Sequence, residues 1–328
     1  MASTIRDVAK HAGVSTATVS RTLRDPQIVK PATRERVQRA VEALAFQPSQ
    51  LGRQLAERRH AANGIVFPDL SGPYFAEVVL GYEDVAAELG RSVLILSTRG
   101  REDADEQVQR LAGRCDGLVV LGQTVADDVL RQLAVRGIPL VLIAREALEG
   151  SDSVNAENTR SARQLAGHLA EQGARTVTFV GDPELTPDLA ERLAGLEAGA
   201  HEHDLHVTIH EPSAMDEQAG IEVAAELRPT DAIACANDEL ALGVLSALRD
   251  RGAADDVLLA GWDDVMAARY AGLTTVRQPM RELGARAAWL LDERIQGRTT
   301  PEHEVLPAHL VVRQSTTRSS TTREGTPA

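Results

Sequence analysis

The chain has few aromatic residues and few cysteines. Phe, Trp and Tyr make up 3% of its 328 residues, so its cores must be filled by aliphatic side chains and alanine. Two cysteines, Cys115 and Cys235, cannot build a disulfide framework. Each stands in an apolar run (RCDGLVVLG and AIACAND) and is expected as a buried, reduced thiol. No run of about eighteen apolar residues is present to span a bilayer, so no membrane partner is expected. The opening MASTIRDVAK carries charge where a secretory signal needs an apolar stretch, which points to the cytoplasm. A nucleophile elbow, a phosphate loop and HExxH are all missing, so neither an enzyme nor a cofactor is indicated. His201, His203, His206 and His210 form a His-rich stretch without a cysteine partner or convergent spacing. It reads as solvated surface, not as a zinc site.

Positive charge is scarce as well, and it is unevenly placed. The whole chain carries −13. Residues 1–62 hold 2 Lys and 9 Arg against 5 Asp and Glu, a net of +6, which leaves −19 for residues 63–328. One end therefore attracts phosphate while the rest repels it.

The basic block is patterned. Ile5, Val8 and Ala9 mark one short helix, and Val19 and Leu23 mark the next. Between them Gly13 stands where a helix-turn-helix needs positive φ. Ser15 can cap the second helix, leaving Thr16, Ala17, Ser20 and Arg21 on its outward face. Small hydrogen-bonding groups and one guanidinium suit a helix entering a major groove. Residues 33–46 place Val37, Val41 and Leu44 at helical spacing, and Pro48 ends that helix. Residues 1–48 are thus expected as an all-α helix-turn-helix headpiece. Residues 49–62 are expected as a short hinge helix and linker. A helix under about 12 residues is marginal in water, and Gly52 weakens it by roughly 1 kcal/mol relative to alanine. It is expected to fold only when two copies meet on DNA.

From Gly64 onward strands and helices alternate. Apolar runs at 64–69, 92–97, 117–122 and 139–144 form one series, and those at 176–182, 206–211, 232–238 and 256–263 form a second. Amphipathic stretches such as 75–89, 102–112 and 161–172 separate them. Continuous apolar strands alternating with helices imply parallel sheets covered on both faces. Residues 63–314 are therefore expected as an α/β sensor of two doubly wound lobes, each of about four strands. Ligands in such folds sit beyond the carboxyl ends of the strands, where Asp69, Asn237, Asp238, Asp263 and Asp264 stand. Asp263 is read as a ligand group and Asp264 as a helix cap, with Trp262 as packing. Residues 315–328, rich in Ser and Thr, are expected to be disordered.

The headpiece VAKHAGVSTATVSRTL, the segment TRERVQRAVEALAFQP, and the later AIACANDELALG, GWDD and LTTVRQP stand in this order. In them the chain resembles the lactose-repressor/galactose-repressor (LacI/GalR) family of bacterial transcription regulators, over residues 3–314. The resemblance implies a homodimer or tetramer that binds a pseudo-palindromic operator in double-stranded DNA. It also implies a periplasmic-binding-protein-like sensor with a small-molecule effector between its lobes. Thr16, Ala17 and Arg21 match positions that face base edges, while Ser15, Thr18 and Ser20 match flanking positions that meet phosphates. Leu55 matches the hinge leucine inserted into the minor groove. Tyr74 and Phe75 resemble aromatics that stack on a ligand ring, and Arg192 an arginine that grips effector oxygens. Asn237 and Asp263 match polar residues of the cleft, and Gln278 a position near the lobe crossover.

Three departures stand out. Lys30 replaces a usual serine cap, Gly52 a hinge alanine, and Ala144 an acidic residue, with Arg145 beside it as a possible anion-binding group. The effector is expected to be a sugar, with a purine or sugar phosphate as the alternative. The other class compatible with the sensor, a solute-binding protein, calls for a signal peptide and no headpiece.

Overall fold

The computed structural model describes residues 3–46 and 60–317. The chain forms two compact units, one ending at His60 and the other beginning at Ala61. Gly52 and Leu55 of the expected hinge lie outside the described residues, as does the tail from residue 318.

In the first unit, α1 (Ile5–Ala12) starts at a reciprocal cap. The Thr4 hydroxyl accepts from the Asp7 amide, and the Asp7 carboxylate accepts from the Thr4 amide at 2.9 Å. Gly13 ends the helix at φ +63°, a left-handed turn open to glycine. Ser15 caps α2 (Thr16–Arg24), accepting from the Thr18 amide at 3.2 Å. The third helix, α3 (Pro31–Ala43), begins two residues before the expected Thr33. Lys30 gives it no side-chain cap; Pro31, with φ already set for a helix, starts it instead. Val8, Ala9, Ala12, Val19, Val37, Ala40 and Phe46 form the core. Leu23, expected inside, is 37% exposed. Thr22 is buried in its place, and its hydroxyl donates to the Thr18 carbonyl at 2.8 Å. The threonine can be buried because that bond satisfies its polar atom.

The second unit holds two six-stranded sheets. The first contains β1 (Ala62–Phe67), β2 (Ser92–Ser97), β3 (Leu118–Leu121), β4 (Leu140–Ile143), β5 (Asp152–Ala156) and β11 (His303–Leu306). Their order is β11-β5-β4-β3-β1-β2, parallel throughout. The second contains β6 (Thr176–Val180), β7 (His206–His210), β8 (Ala232–Cys235), β9 (Leu258–Asp263), β10 (Thr274–Arg277) and β12 (His309–Val311). Here the order is β12-β10-β9-β8-β6-β7, with only β12 antiparallel among the described strands.

Helices α4 (Pro73–Glu88), α5 (Ala104–Ala112), α6 (Asp127–Val135) and α12 (Met280–Gln296) belong to the first lobe. The second lobe has α7 (Thr159–Glu171), α8 (Pro187–Glu202), α9 (Glu217–Glu226), α10 (Asp238–Asp250) and α11 (Met266–Ala271). Helices α4 and α12 touch backbone to backbone. A Cβ on Gly284 would lie 2.0 Å from the Val78 carbonyl oxygen, so only glycine fits there.

Two sheets were expected with about four strands each; the four added strands are β5, β10, β11 and β12. The chain crosses between lobes three times, after β5, after β10 and between β11 and β12. The ordered chain also runs past the expected start of the tail. Thr316 is buried, and its hydroxyl is 2.7 Å from both His168 Nε2 and Thr274 Oγ1. Ser315 Oγ donates to the Leu259 carbonyl at 2.6 Å. These bonds anchor a segment whose composition alone suggests disorder.

Candidate nucleic-acid interface and effector cleft

On α2 the side chains of Thr16, Ala17, Ser20 and Arg21 are exposed, as is Ser15 at its cap. Thr18 is half-buried, its hydroxyl 2.9 Å from that of Ser15. Buried Val19 and Thr22 fix the helix on the opposite side. The exposed face therefore offers hydroxyls, a methyl group and a guanidinium on a rigid support.

A cleft of about 460 Å³ opens between the two lobes of the second unit. Six of the seven expected effector residues line it: Tyr74, Phe75, Arg192, Asn237, Asp263 and Gln278. Tyr74 and Phe75, in the first turn of α4, pack edge to face at 5.4 Å, and Phe75 meets core Phe67 at 5.7 Å. Phe75 thus belongs to the core and the wall together. The Tyr74 hydroxyl is held well above its ordinary pKa, first by burial and then by Asp188 and Asp263.

Arg192 is buried on α8. Its Nε donates to Asn158 Oδ1 at 3.0 Å and its Nη1 to the Ala236 carbonyl at 2.6 Å. Asp188, one helical turn earlier, lies 3.7 Å from Nη2. The guanidinium sits 4.7 Å from the centre of the Trp262 ring, a cation–π contact on a residue read as packing. Asp263 ends β9 at φ +114°, strained for a non-glycine residue. Its Oδ1 accepts from Gln278 Nε2 at 2.6 Å. Burial pushes the Asp263 carboxyl up to about 7, against the pull of Arg192 and Gln278 and with help from Glu239 and Asp188. Asn237 gives both ends of its amide to the scaffold. Its oxygen caps α10 at the Leu240 amide (2.9 Å), and its nitrogen donates to the Met215 carbonyl (2.8 Å).

The seventh residue, Arg145, does not line the cleft. Its side chain is 1% exposed, donates to the Gly122 carbonyl at 3.0 Å and pairs with Asp127. Ala144 turns the backbone at φ +52°, so Ala144 faces the cleft and the next side chain is directed into the first lobe. Asp264 is likewise not a cap: α11 has no side-chain cap bond. Its carboxylate accepts from Arg277 Nε at 2.7 Å and from Arg313 Nη2 at 2.6 Å.

One carboxylate joins three of the sequence motifs. Buried Asp238 accepts from Thr275 Oγ1 at 2.7 Å and from the Val265 amide at 2.9 Å. A Cβ on Gly261 would lie 2.2 Å from Asp238 Oδ1, so the glycine of GWDD makes room for the aspartate of ANDELALG. Sequence reasoning missed Asp188, Glu239, Arg99 and Gln123, which also line the cleft. Asp188 and Glu239 lie in first helical turns, where an acid is ordinarily explained by the helix dipole. The legible signal was the four-residue spacing of Asp188 and Arg192, which puts both on one helix face.

Residues 4–49 match the lacI family of bacterial regulatory proteins, and residues 166–316 match the periplasmic binding protein-like domain. The ribose operon repressor of Halalkalibacterium halodurans is 31% identical over 95% of this chain and 97% of its own length. The chain belongs to the lacI family. As a member it is a DNA-binding transcriptional regulator, with the headpiece and the two-lobed α/β domain described above. The lac repressor dimer, solved bound to operator and the anti-inducer ONPF, is similar with a TM-score of 0.84 and 25% identity. That match covers 97% of this lacI-family chain and 100% of the solved one. The transcriptional regulator CelR in complex with cellobiose is similar at a TM-score of 0.70 and 29% identity, covering 95% of this chain and 99% of that one. No helix among the described residues is long and apolar enough to cross a membrane.

Proposed function

We propose that this regulator binds a pseudo-palindromic operator as a homodimer, probing bases with Thr16, Ala17 and Arg21 and phosphates with Ser15, Thr18 and Ser20. Leu55, outside the described residues, is proposed as the minor-groove wedge. A polyhydroxylated effector, a sugar, binds between the lobes and changes operator affinity. Tyr74 and Phe75 form its apolar wall, and Arg192, Asp263 and Gln278 bond its hydroxyls. Asn237 shapes the wall.

The observation that carries this reading is the pairing of an aromatic wall on one lobe with fixed polar groups on the other, across a cavity of about 460 Å³. A sugar has apolar faces and a polar circumference, and such a site matches both. The structure of CelR with cellobiose supports the same chemistry. Of the two arginines that line the cleft, Arg192 is tied to Asn158, Ala236 and Asp188, and Arg99 to Asp69 and Ser71. Arg145 is turned away. This arrangement disfavours a sugar phosphate.

Calorimetric titration of the full chain with a panel of mono- and disaccharides tests the reading. One sugar should bind and alter operator affinity. Arg192→Ala and Asp263→Ala should remove that response and leave operator binding in place. Unchanged sugar affinity in both variants would move the site elsewhere.

A further inference from the structure

The cleft is lined by more carboxylates than cations. Five carboxylates line it: Asp69, Asp188, Asp216, Glu239 and Asp263. Only two cations, Arg99 and Arg192, stand among the lining residues. Arg99 lies at the rim with 62% of its side chain exposed, 3.5 Å from Asp69 and donating to Ser71. Arg192 gives two of its five donors to Asn158 and Ala236, and its charge is shared with Asp188 at 3.7 Å.

Glu239 receives no cation among the described residues. It lies in the first turn of α10, half-buried, and its carboxylate reaches the other lobe. A Cβ on Gly72, at the start of α4, would meet its Oε2 at 2.9 Å. Burial, and then Asp69, Asp216 and Glu217, raise its pKa. A second, independent observation lies deeper. Gln278 is 4% exposed, its Nε2 is given to Asp263, and its Oε1 has no donor. A buried carbonyl without a donor is costly, and this one belongs to a residue that lines the cavity.

We propose that the effector of this chain is an amine-bearing polyol, of the amino-sugar class. Its ammonium is taken up on the Asp188–Asp263–Glu239 side of the cleft, and one of its N–H or O–H groups donates to Gln278 Oε1. The proposal rests on the effector reading above and narrows it. A protonated amine brings three donors and a positive charge to a site with surplus carboxylates and no free cation. A neutral hexose supplies donors but leaves that charge unmatched. An N-acetylated sugar loses both the charge and two of the three donors.

The test is calorimetry on the full chain near neutral pH, using glucosamine with glucose, galactosamine with galactose, and mannosamine with mannose. The N-acetylated forms and glucose 6-phosphate complete the set. In at least one pair the amine should bind about tenfold more tightly than its parent, the size of one charge-assisted hydrogen bond, and N-acetylation should remove the gain. Glu239→Gln should shrink the preference to about twofold or less. The wild-type comparison decides alone if that variant misfolds. Parent sugars binding as well as their amines in every pair would overturn the proposal and leave the sugar reading standing, whereas glucose 6-phosphate binding better than glucose would overturn both the proposal and the preference for a sugar over a sugar phosphate. Binding of no sugar of either kind would overturn both.

Discussion

Arg192 and Trp262 are stacked, the guanidinium 4.7 Å from the ring centre. The same guanidinium reaches Asn158, just after β5, and Ala236, just after β8. A single side chain therefore ties together three strand ends where the cleft is built. Planarity matters here, because a fork that bonds two oxygens and stacks on a ring cannot be replaced by a point charge. Arg192→Lys should abolish the effector response and lower stability by about 1–3 kcal/mol, the cost of leaving a buried acceptor unmade. Urea denaturation and effector titration of this one variant check both effects.

Asp263 makes stability depend on pH in an uncommon direction. Its folded-state pKa of about 7 stands above the ordinary 3.8, so between these values the folded chain holds a proton that the unfolded chain releases. Stability from this group is fully present below about pH 4 and is lost as pH rises through 7. Asp263→Asn should therefore flatten the decline of stability between about pH 4 and 7 and raise stability above pH 7. Thermal denaturation across that window checks it, and identical profiles would show that the carboxyl titrates normally.

Arg145 should matter to folding and not to effector. Arg145→Ala leaves the Gly122 carbonyl without its donor and removes one of the two arginines paired with Asp127, the other being Arg131. Deleting one member of a buried pair costs up to about 3–5 kcal/mol, less here because Asp127 is 43% exposed and solvent screens it. Effector affinity should stay within about twofold of the parent chain, a change too small to signal a lost hydrogen bond. A large loss of affinity with unchanged stability would put Arg145 back in the cleft.

Arg21 is the one guanidinium among the residues of α2 proposed to face bases. Arg21→Ala should cost roughly 1–3 kcal/mol at the operator and blur base preference at one position of each half-site. Substituting a residue proposed to meet phosphate, such as Ser20, should instead weaken all sequences about equally. Operator titrations at two salt concentrations, with cognate and single-substituted sites, separate the two outcomes.

The inner strands were legible because β1, β3, β4 and β8 are buried along their whole length and read as apolar runs, broken in β1 only by Asn63 and Gly64 near its start. The added strands were not. In β5, Asp152 is buried against Arg298, and in β10, Thr275 is buried against Asp238. A pattern search treats these polar residues as loop because their partners are about 150 and 37 residues away. The same limit governed the cleft. Motif order located Arg192 and Asp263, whereas Arg145 was misplaced by one left-handed residue, Ala144. Glu239 was passed over because nothing near it in sequence shows that it faces Gly72. Thr22 displaced Leu23 from the headpiece core through a bond to its own helix, a choice apolar periodicity cannot see.

The three crossings between lobes bear on how the chain is made. Each sheet takes an outer strand from the last stretch of chain, β11 for one and β12 for the other, and Arg313 reaches back to Asp264. Neither lobe is complete until residues 303–316 have left the ribosome, so the sensor cannot mature lobe by lobe during synthesis as contiguous domains do. The headpiece, contiguous and near the start, can fold long before. For part of every translation cycle the basic, DNA-binding end therefore exists before the two-lobed domain is complete.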